Sequence, residues 1–465
     1  MRGLLFLLAL TIAGRAQDGR RIPVTPVADL AALAERYPEG TIFVLGAGVY
    51  RGQSITPKNR QAFIADRDAI LNGAIEVSGF VRDGTGYWAA PVTPSARPLH
   101  GFCAVDHPLC RDVNDVFADD LALSPAASLA RLDPAHYYFD RRQGLLYLGF
   151  DPAGRRIEMA VLPFAFNGSA SSVIIRGLVI EKYASRAQVG AVMGRAGVDW
   201  VIEYNIVRFN HGVGIAGGPR ARVRDNAVLW NGQLGVAADG DHGLFEGNEI
   251  AYNNRCGYLV RWEGGGSKFA ETSDLTVRYN YVHHNFGFGL WTDIDNVRTL
   301  YEHNAVLDNE ESGIFHLISA DAVIRNNYVA RNGLRQDGWL WGSQILLANS
   351  WNVVVTGNFV EVDAAGGNGI GMIQQDRGSG ALGPRLTRGN SVVGNEIVYA
   401  GEAGISGIAA DFEEAALLAG NNRFDSNLYR ARREARRWMW GELKDWRGFL
   451  EAGQEGNGIV APEGR

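Results

Sequence analysis

The sequence predicts an all-β protein, a right-handed parallel β-helix, because a short unit with two Asn residues recurs along it. Each copy has an Asn, an apolar residue two positions later and a second Asn five positions later. The unit is about 22 residues long, which suits short strands and is too short for a helix pair with its connections. The first Asn of the six clearest copies is Asn205, Asn226, Asn248, Asn280, Asn304 or Asn327, and weaker copies follow at Asn358, Asn395 and Asn422.

The chemistry of Asn and the overall composition favour the same fold. Asn tolerates left-handed backbone, and its amide can hydrogen-bond to an Asn stacked above or below it in the next coil. The 465 residues include 59 Gly, with 46% hydrophobic and 21% charged residues, which disfavours a disordered chain, collagen and a coiled coil. Leucine-rich repeats have a similar period, but their Leu-rich consensus is absent.

Changes in pattern divide the chain into six predicted segments. A basic start, an apolar run and small residues predict a signal peptide at residues 1–16, and an amphipathic helix predicts a cap at 17–40. Residues 41–99 are predicted to form the first coils, 100–160 an inserted small β subdomain, 161–430 the main β-helix and 431–465 a C-terminal cap or tail.

The predicted leader and the charge bound the location and partners. We expect a secreted or periplasmic monomer. Removal of Arg2 and Arg15 reduces the basic residues from 45 to 43 against 51 acidic ones, so the formal charge falls from −6 to −8 and a nucleic-acid partner is disfavoured. After the leader there is no run of about 18 apolar residues, so no membrane span is expected.

Three cysteines predict one disulfide and no metal site. Cys103 and Cys110 lie seven positions apart, and in an oxidising compartment we expect them to form a disulfide. Cys256 is predicted to be a buried, inert thiol. No Cys and His spacing resembles a zinc site, and no cofactor is expected to be required.

Four segments extend these predictions by resemblance. GTIFVLGAGVYRG, YYFDRRQGLLYLGFDPAGRRIEM, GFGLWTDIDN and GIFHLISADAVIRNNYV resemble secreted right-handed parallel β-helix repeat proteins of the pectate-lyase-like superfamily. That superfamily includes polysaccharide lyases, glycoside hydrolases, uronate epimerases, esterases and phage tailspikes. The resemblance therefore implies the fold and a polysaccharide or oligosaccharide partner without selecting one reaction. Relatives usually carry Glu at the position of Leu317, so any role of that carboxylate is absent here.

One strand of each coil follows a Gly, and its first apolar residue is predicted to point inward. These residues are Ile215, Val236, Tyr258, Leu290, Ile314, Ile345, Ile370 and Ile405. Alternation then places on one outward face Asp239, Asp241, Arg261, Glu263, Trp291, Asp293, Asp295 and Phe315. By the same register His316 points inward, as a hydrogen-bonded core residue.

Neighbouring carboxylates on this face predict acid and base chemistry, because one can hold a proton while another stays ionised. The predicted catalytic residues are Asp239, Glu263, Asp293 and Asp295. Asp293 is the preferred nucleophile or base and Asp239 or Glu263 the acid. Arg261 and Lys268 would orient the substrate, while Trp291 and Phe315 would offer flat faces to sugar rings.

Other interpretations of this face stay open. The carboxylates could bind Ca²⁺, Arg261 could pair with Asp239 and Asp293 in a solvated ion-pair ladder, and the aromatic rings could pack beneath a loop. The leading function is cleavage of a glycosidic bond. The alternatives are a non-catalytic solenoid that binds a glycan or a cell-surface partner, and a uronate lyase or epimerase with Lys268 or Arg261 as base.

Overall fold

A computed structural model describes residues 19–95, 98, 100–335 and 338–462 of the chain. The predicted signal peptide at 1–16 lies outside these residues. Within them the chain winds into the predicted right-handed parallel β-helix, which consists of two long sheets and a small inserted unit. Among the described helices, none has the length and apolar character needed to cross a membrane.

The larger sheet has 24 strands among the described residues and wraps two sides of the coils. Its strands pair in parallel with their equivalents in the next coil. They are Arg21–Val24, Ile42–Leu45, Gly48–Arg51, Ala62–Asn72, Ile174–Glu181, Val201–Glu203, Ile206–Arg208, Arg222–Arg224, Ala227–Leu229, Leu244–Glu246, Glu249–Ala251, Thr276–Arg278, Tyr281–His283, Leu300–Glu302, Ala305–Leu307, Val323–Arg325, Tyr328–Ala330, Val354–Thr356, Phe359–Val362, Ser391–Val393, Glu396–Tyr399, Arg423–Asp425, Leu428–Arg430 and Ile459–Ala461.

The second sheet has 12 strands among the described residues and forms the remaining side. Its strands are Phe166–Asn167, Gly190–Met193, Val213–Gly217, Leu234–Asp241, Gly265–Ser273, Leu290–Asp293, Ile314–Leu317, Ser343–Ala348, Asn368–Gln374, Ser406–Ala410, Trp438–Trp440 and Glu442–Lys444. The last strand turns back antiparallel on the one before it. The outward face of this 12-stranded sheet carries the predicted site.

Two ladders of buried Asn side chains join the coils at their bends. In the first ladder each amide donates to the side-chain oxygen of the next Asn at 2.9–3.0 Å, from Asn205 to Asn427. The second ladder runs from Asn210 to Asn332 and ends on Gln344. Asn422 does not continue the first ladder, because it pairs with Asn390 in a separate stack.

The core is one continuous apolar column inside the coils, from Val24 to Val460. The helix Leu30–Arg36 covers its first end, with Leu30 and Ala34 buried against it. The helix Trp446–Glu451 covers the other end, with Trp446 and Phe449 in the core. The parallel pairing of Ile459–Ala461 shows that coil structure continues beyond the predicted limit at residue 430. A further short helix spans Glu414–Leu418.

The inserted β unit begins earlier than predicted, at Ala74 instead of residue 100. Strands Val81–Arg82, Trp88–Pro91, Ser124–Pro125, His136–Asp140 and Leu145–Leu148 form one sheet; Ala74–Glu76, Val116–Ala118, Leu121–Ala122 and Ile157–Ala160 form another. Residues 74–91 pair across the sequence with residues 145–160, and local pattern could not reveal that pairing. A 3₁₀ turn spans Leu129–Arg131 and a small hairpin joins Ser379–Gly380 to Gly383–Pro384.

Candidate functional site

The inward residues of the 12-stranded sheet largely follow the predicted register. Ile215, Val236, Leu290, Ile314, Ile345 and Ile370 all lie in the main core, whereas Tyr258 and Ile405 do not. Val236 pairs with Ser267, since the chain first leaves the coil: Tyr258 bridges to Cys103 and a short helix follows at Val260–Glu263. The prediction for Tyr258 is wrong because alternation cannot tell which residues leave a coil.

The later start of this strand brings Lys268 to the centre of the outward face. Its ammonium nitrogen lies 3.0 Å from Oε1 of Glu263 and 3.0 Å from Oδ2 of Asp293. The same nitrogen lies 4.4 Å from the centre of the Trp291 ring. The side chains of Lys268, Glu263 and Asp293 are 9%, 14% and 11% exposed, so water screens this ion triplet weakly.

The surroundings of Asp293 perturb its carboxyl group. Burial raises the pKa of Asp293 above its ordinary value, while Lys268 and Arg377 oppose that shift and Glu263 adds to it. One oxygen, Oδ1, is buried without a hydrogen-bond partner among the described residues, whereas Oδ2 contacts Lys268. Asp293 therefore has one oxygen held by a cation and one buried oxygen that no hydrogen bond holds.

Asp239 is the most accessible carboxylate of this group. Its side chain is 36% exposed and its Oδ2 lies 2.9 Å from Nε of Arg195. Burial raises the pKa of Asp239, Arg195 opposes the shift, and the nearby charges of Glu271 and Glu263 raise the pKa further. Asp239 thus belongs to the same electrostatic cluster as the ion triplet.

Two other predicted residues have different surroundings. Asp295 has a positive φ of 53°, and its carboxylate lies 3.4 Å from the Arg385 guanidinium and accepts the backbone N–H of Ala381. Asp295 therefore anchors the hairpin segment, in a contact that differs from those of the ion triplet. The Arg261 guanidinium lies 5.0 Å from the centre of the Trp341 ring, on the rim of the face.

The predicted sugar platforms, Trp291 and Phe315, are buried. Each is 2% exposed, and their rings stack 5.9 Å apart in a second apolar cluster outside the coil core. Phe315 packs edge-on against Trp341. The two rings therefore pack beneath other residues, as the alternative interpretation stated, and do not present flat faces to a sugar. Leu317 lies in the same cluster, which gives this position an apolar role.

An exposed aromatic group on the rim was not predicted. Phe102 is 62% exposed and packs edge-to-face on Trp262, as does His100 from another side. The backbone oxygen of Trp262 accepts a hydrogen bond of 3.4 Å from Lys268, so these rings border the ion triplet. Sequence reasoning missed them because the segment before Cys103 reaches this rim only through long-range folding.

Two conclusions on single residues agree with the prediction. Cys103 and Cys110 are joined in a disulfide. His316 is fully buried, with Nδ1 2.6 Å from the hydroxyl of Thr292, and burial lowers its pKa to about 3. His316 is therefore a neutral core residue.

The structure also assembles a polar cluster that sequence reasoning missed. Cys256, predicted to be inert, lies beside His211 and Asp115, from segments far apart in the sequence. No local spacing signals this arrangement. Two cavities, of about 360 and 610 Å³, adjoin this part of the molecule, and no residue of the ion triplet lines either of them.

Comparison with known proteins supports the architecture. A family model for the right-handed beta helix region matches residues 189–360. No curated protein matches the chain significantly. The complex structure of XylC with xylose is similar with a TM-score of 0.69 at 14% identity, covering 96% of this chain and 86% of that one. The A-module of Azotobacter vinelandii mannuronan C-5 epimerase AlgE6 has a TM-score of 0.53 at 14% identity, covering 94% and 97%.

These identities establish likeness of fold alone, which agrees with the parallel pairing and the Asn ladders described above. The chain is a right-handed parallel β-helix protein.

Proposed function

We propose that this protein is an exported carbohydrate-active enzyme that hydrolyses a glycosidic bond on the outward face of the 12-stranded sheet. The observation that carries the proposal is the largely buried Glu263–Lys268–Asp293 triplet beside Asp239, because it combines two carboxyl groups of raised pKa, Asp239 and Asp293, with a fixed cation. The similar structures include a xylose complex and an epimerase of mannuronan, which supports a sugar substrate.

Asp239 is the proposed general acid. Its pKa is raised by burial and by two neighbouring carboxylates, so it keeps its proton to a higher pH than an ordinary Asp. Its partial exposure lets it meet the leaving oxygen of a substrate bound on the outward face.

Asp293 is the proposed base or nucleophile. Lys268 stabilises the negative charge on Oδ2, while Oδ1 has no hydrogen bond to break before it takes a proton or attacks. Glu263 is a positioning residue, because it holds the other side of the Lys268 ammonium. Phe102 and Trp262 offer the accessible aromatic surface for a sugar ring.

The ion triplet argues against Lys268 as the base of a lyase or epimerase. Removal of a proton from Lys268 would leave the carboxylates of Glu263 and Asp293, each 3.0 Å from its nitrogen, without their counter-charge. Ca²⁺ between Glu263 and Asp293 would likewise have to displace the ammonium, although Ca²⁺ elsewhere on this face stays a candidate. A non-catalytic binder is the second candidate, favoured by Leu317 at the position where relatives usually carry Glu.

A glycan panel with product analysis tests the proposal. We expect new reducing ends without an ultraviolet-absorbing double bond, and a loss of kcat/KM of at least about 100-fold for both Asp239→Asn and Asp293→Asn. Activity should fall on acidification, as Asp293 is protonated, and on alkalinisation, as Asp239 loses its proton. Because the pKa values of both groups are raised, both losses of activity should occur at a higher pH than for ordinary Asp residues.

The matched control is Asp199→Asn, which removes an exposed carboxylate paired with Arg220 on the surface and should leave kcat/KM unchanged. Unsaturated products would identify a lyase, and altered sugar configuration at constant chain length an epimerase. Tight binding of a glycan without any product would support the non-catalytic binder instead of the enzyme. Full activity of Asp293→Asn would disprove the assigned role.

A further inference from the structure

A second polar cluster lies away from the carboxylate face, where the disulfide loop meets the turns of the coils. Nδ1 of His211 lies 3.1 Å from Oδ1 of Asp115 and 3.6 Å from Sγ of Cys256, and the oxygen and sulfur are 4.0 Å apart. Asp115 and His211 are buried and Cys256 is half-buried. Three different metal-ligating atoms thus converge on one point.

These separations are those of ligands around one zinc ion. Zinc lies about 2.3 Å from sulfur and about 2.0–2.2 Å from nitrogen or oxygen, so tetrahedral geometry separates its ligand atoms by about 3.4–3.6 Å. The observed values of 3.1, 3.6 and 4.0 Å span that range. Small side-chain rotations would equalise them.

The hydrogen bonds around the cluster prepare His211 for a metal. Its Nε2 lies 2.8 Å from the backbone oxygen of Cys110, and because a carbonyl oxygen only accepts, Nε2 must donate the hydrogen. Nδ1 carries a hydrogen toward Asp115 in the metal-free ion pair, and once that hydrogen leaves, its lone pair points to where Asp115 and Cys256 converge. A ligating His commonly donates its other N–H to such an oxygen.

Asp115 is held in the same manner. Its outer oxygen, Oδ2, accepts from the Arg255 guanidinium, which leaves Oδ1 directed at His211 and Cys256. The Cys103–Cys110 disulfide closes the loop that supplies the Cys110 backbone oxygen to His211. All three candidate ligands line the cavity of about 360 Å³, which offers a path for the ion and room for a water molecule.

We propose that Asp115, His211 and Cys256 form a zinc site with three protein ligands and a fourth position open to this cavity. A carboxylate and a thiolate balance the charge of Zn²⁺, and the protons of the Cys256 thiol and of His211 Nδ1 pass to solvent on binding. Asp115 belongs to the inserted unit, while His211 and Cys256 follow Asn210 and Asn253, two steps apart in the second Asn ladder, so zinc should stabilise the contact between the unit and the coils. The sequence alone predicts no metal here.

Metal titration of the untagged full chain tests the proposal. We expect about one Zn²⁺ per chain after gel filtration, a higher melting temperature reversed by a chelator, and protection of the thiol from a thiol reagent. Co²⁺ in place of Zn²⁺ should give the near-ultraviolet absorption of a cobalt–thiolate bond. Cys256→Ser should weaken binding at least about 100-fold and remove that absorption.

The matched control is His284→Gln, which changes an exposed His whose Nδ1 lies 2.9 Å from Nδ1 of His283 and should retain Zn²⁺. Circular dichroism of zinc-free Cys256→Ser tests whether the variant folds. If the variant does not fold, the zinc stoichiometry and the cobalt spectrum of the wild-type protein test the site. Absence of bound Zn²⁺ and of the cobalt–thiolate absorption in the wild-type protein would overturn the site. Retention of both in Cys256→Ser would do the same.

Discussion

His316 shows how one buried side chain links the core to pH. Tyr301 donates its hydroxyl hydrogen to Thr292, and the Thr292 hydroxyl can then donate to Nδ1 of His316. The other ring nitrogen is buried without a partner among the described residues. A charged ring here would lack both solvent and a counter-ion, and burial accordingly lowers its pKa to about 3.

This single residue should make the protein less stable in mild acid. The folded pKa lies below the unfolded value of about 6.5, so its contribution to stability is present above pH 6.5 and decreases as the pH falls toward 3. Between pH 7 and pH 5 the loss is about 2 kcal/mol. Urea unfolding of His316→Leu should show a pH dependence smaller by that amount. The exposed His242, changed to Gln, serves as control; an unchanged pH dependence in His316→Leu would contradict the interpretation.

At the scale of elements, the Asn ladders hold successive bends in register. Asn280 accepts from the backbone N–H and the amide of Asn248, and donates to Asn304 and to the backbone oxygen of Phe245, each at 3.0 Å. Both neighbours are buried, so loss of the Asn280 amide leaves their polar groups unpaired away from water. The strands on either side have only three residues each and depend on these bends.

We therefore expect Asn280→Ala to lower the free energy of unfolding by about 3 kcal/mol. Chemical denaturation measures the change. The control Asn457→Ala removes an exposed amide that hydrogen-bonds to Asp425, and should cost less than about 1 kcal/mol. Equal effects of the two substitutions would show that the buried ladder adds nothing.

At the scale of the whole molecule, the two end helices complete a core that stacking alone leaves open. Phe449 is fully buried on Trp438 and Phe424 at the C-terminal end, while its neighbour Leu450 is 41% exposed. A solenoid without such a cover exposes apolar surface and unpaired strand edges, which promote association.

Phe449→Ala should destabilise the protein by about 3–5 kcal/mol and lower the temperature at which it aggregates. Thermal unfolding followed together with light scattering measures both effects. Leu450→Ala changes the adjacent exposed side chain of the same helix and should alter neither strongly. A Phe449→Ala protein as stable and soluble as this control would show that the cover is dispensable.

The sequence by itself determined the coil architecture, because a fixed spacing of two Asn residues and alternating apolar residues repeats a local rule in every coil. It also predicted the disulfide, the inward position of His316 and the outward face that holds Asp239 and Asp293. Tertiary structure alone decided which residues leave a coil, and so exchanged Tyr258 for Ser267 and centred Lys268 among carboxylates. It likewise buried Trp291 and Phe315, exposed Phe102, and brought Cys256 to His211 and Asp115. The physical reason is that these contacts join insertions and coils distant in sequence, and no local periodicity records their meeting.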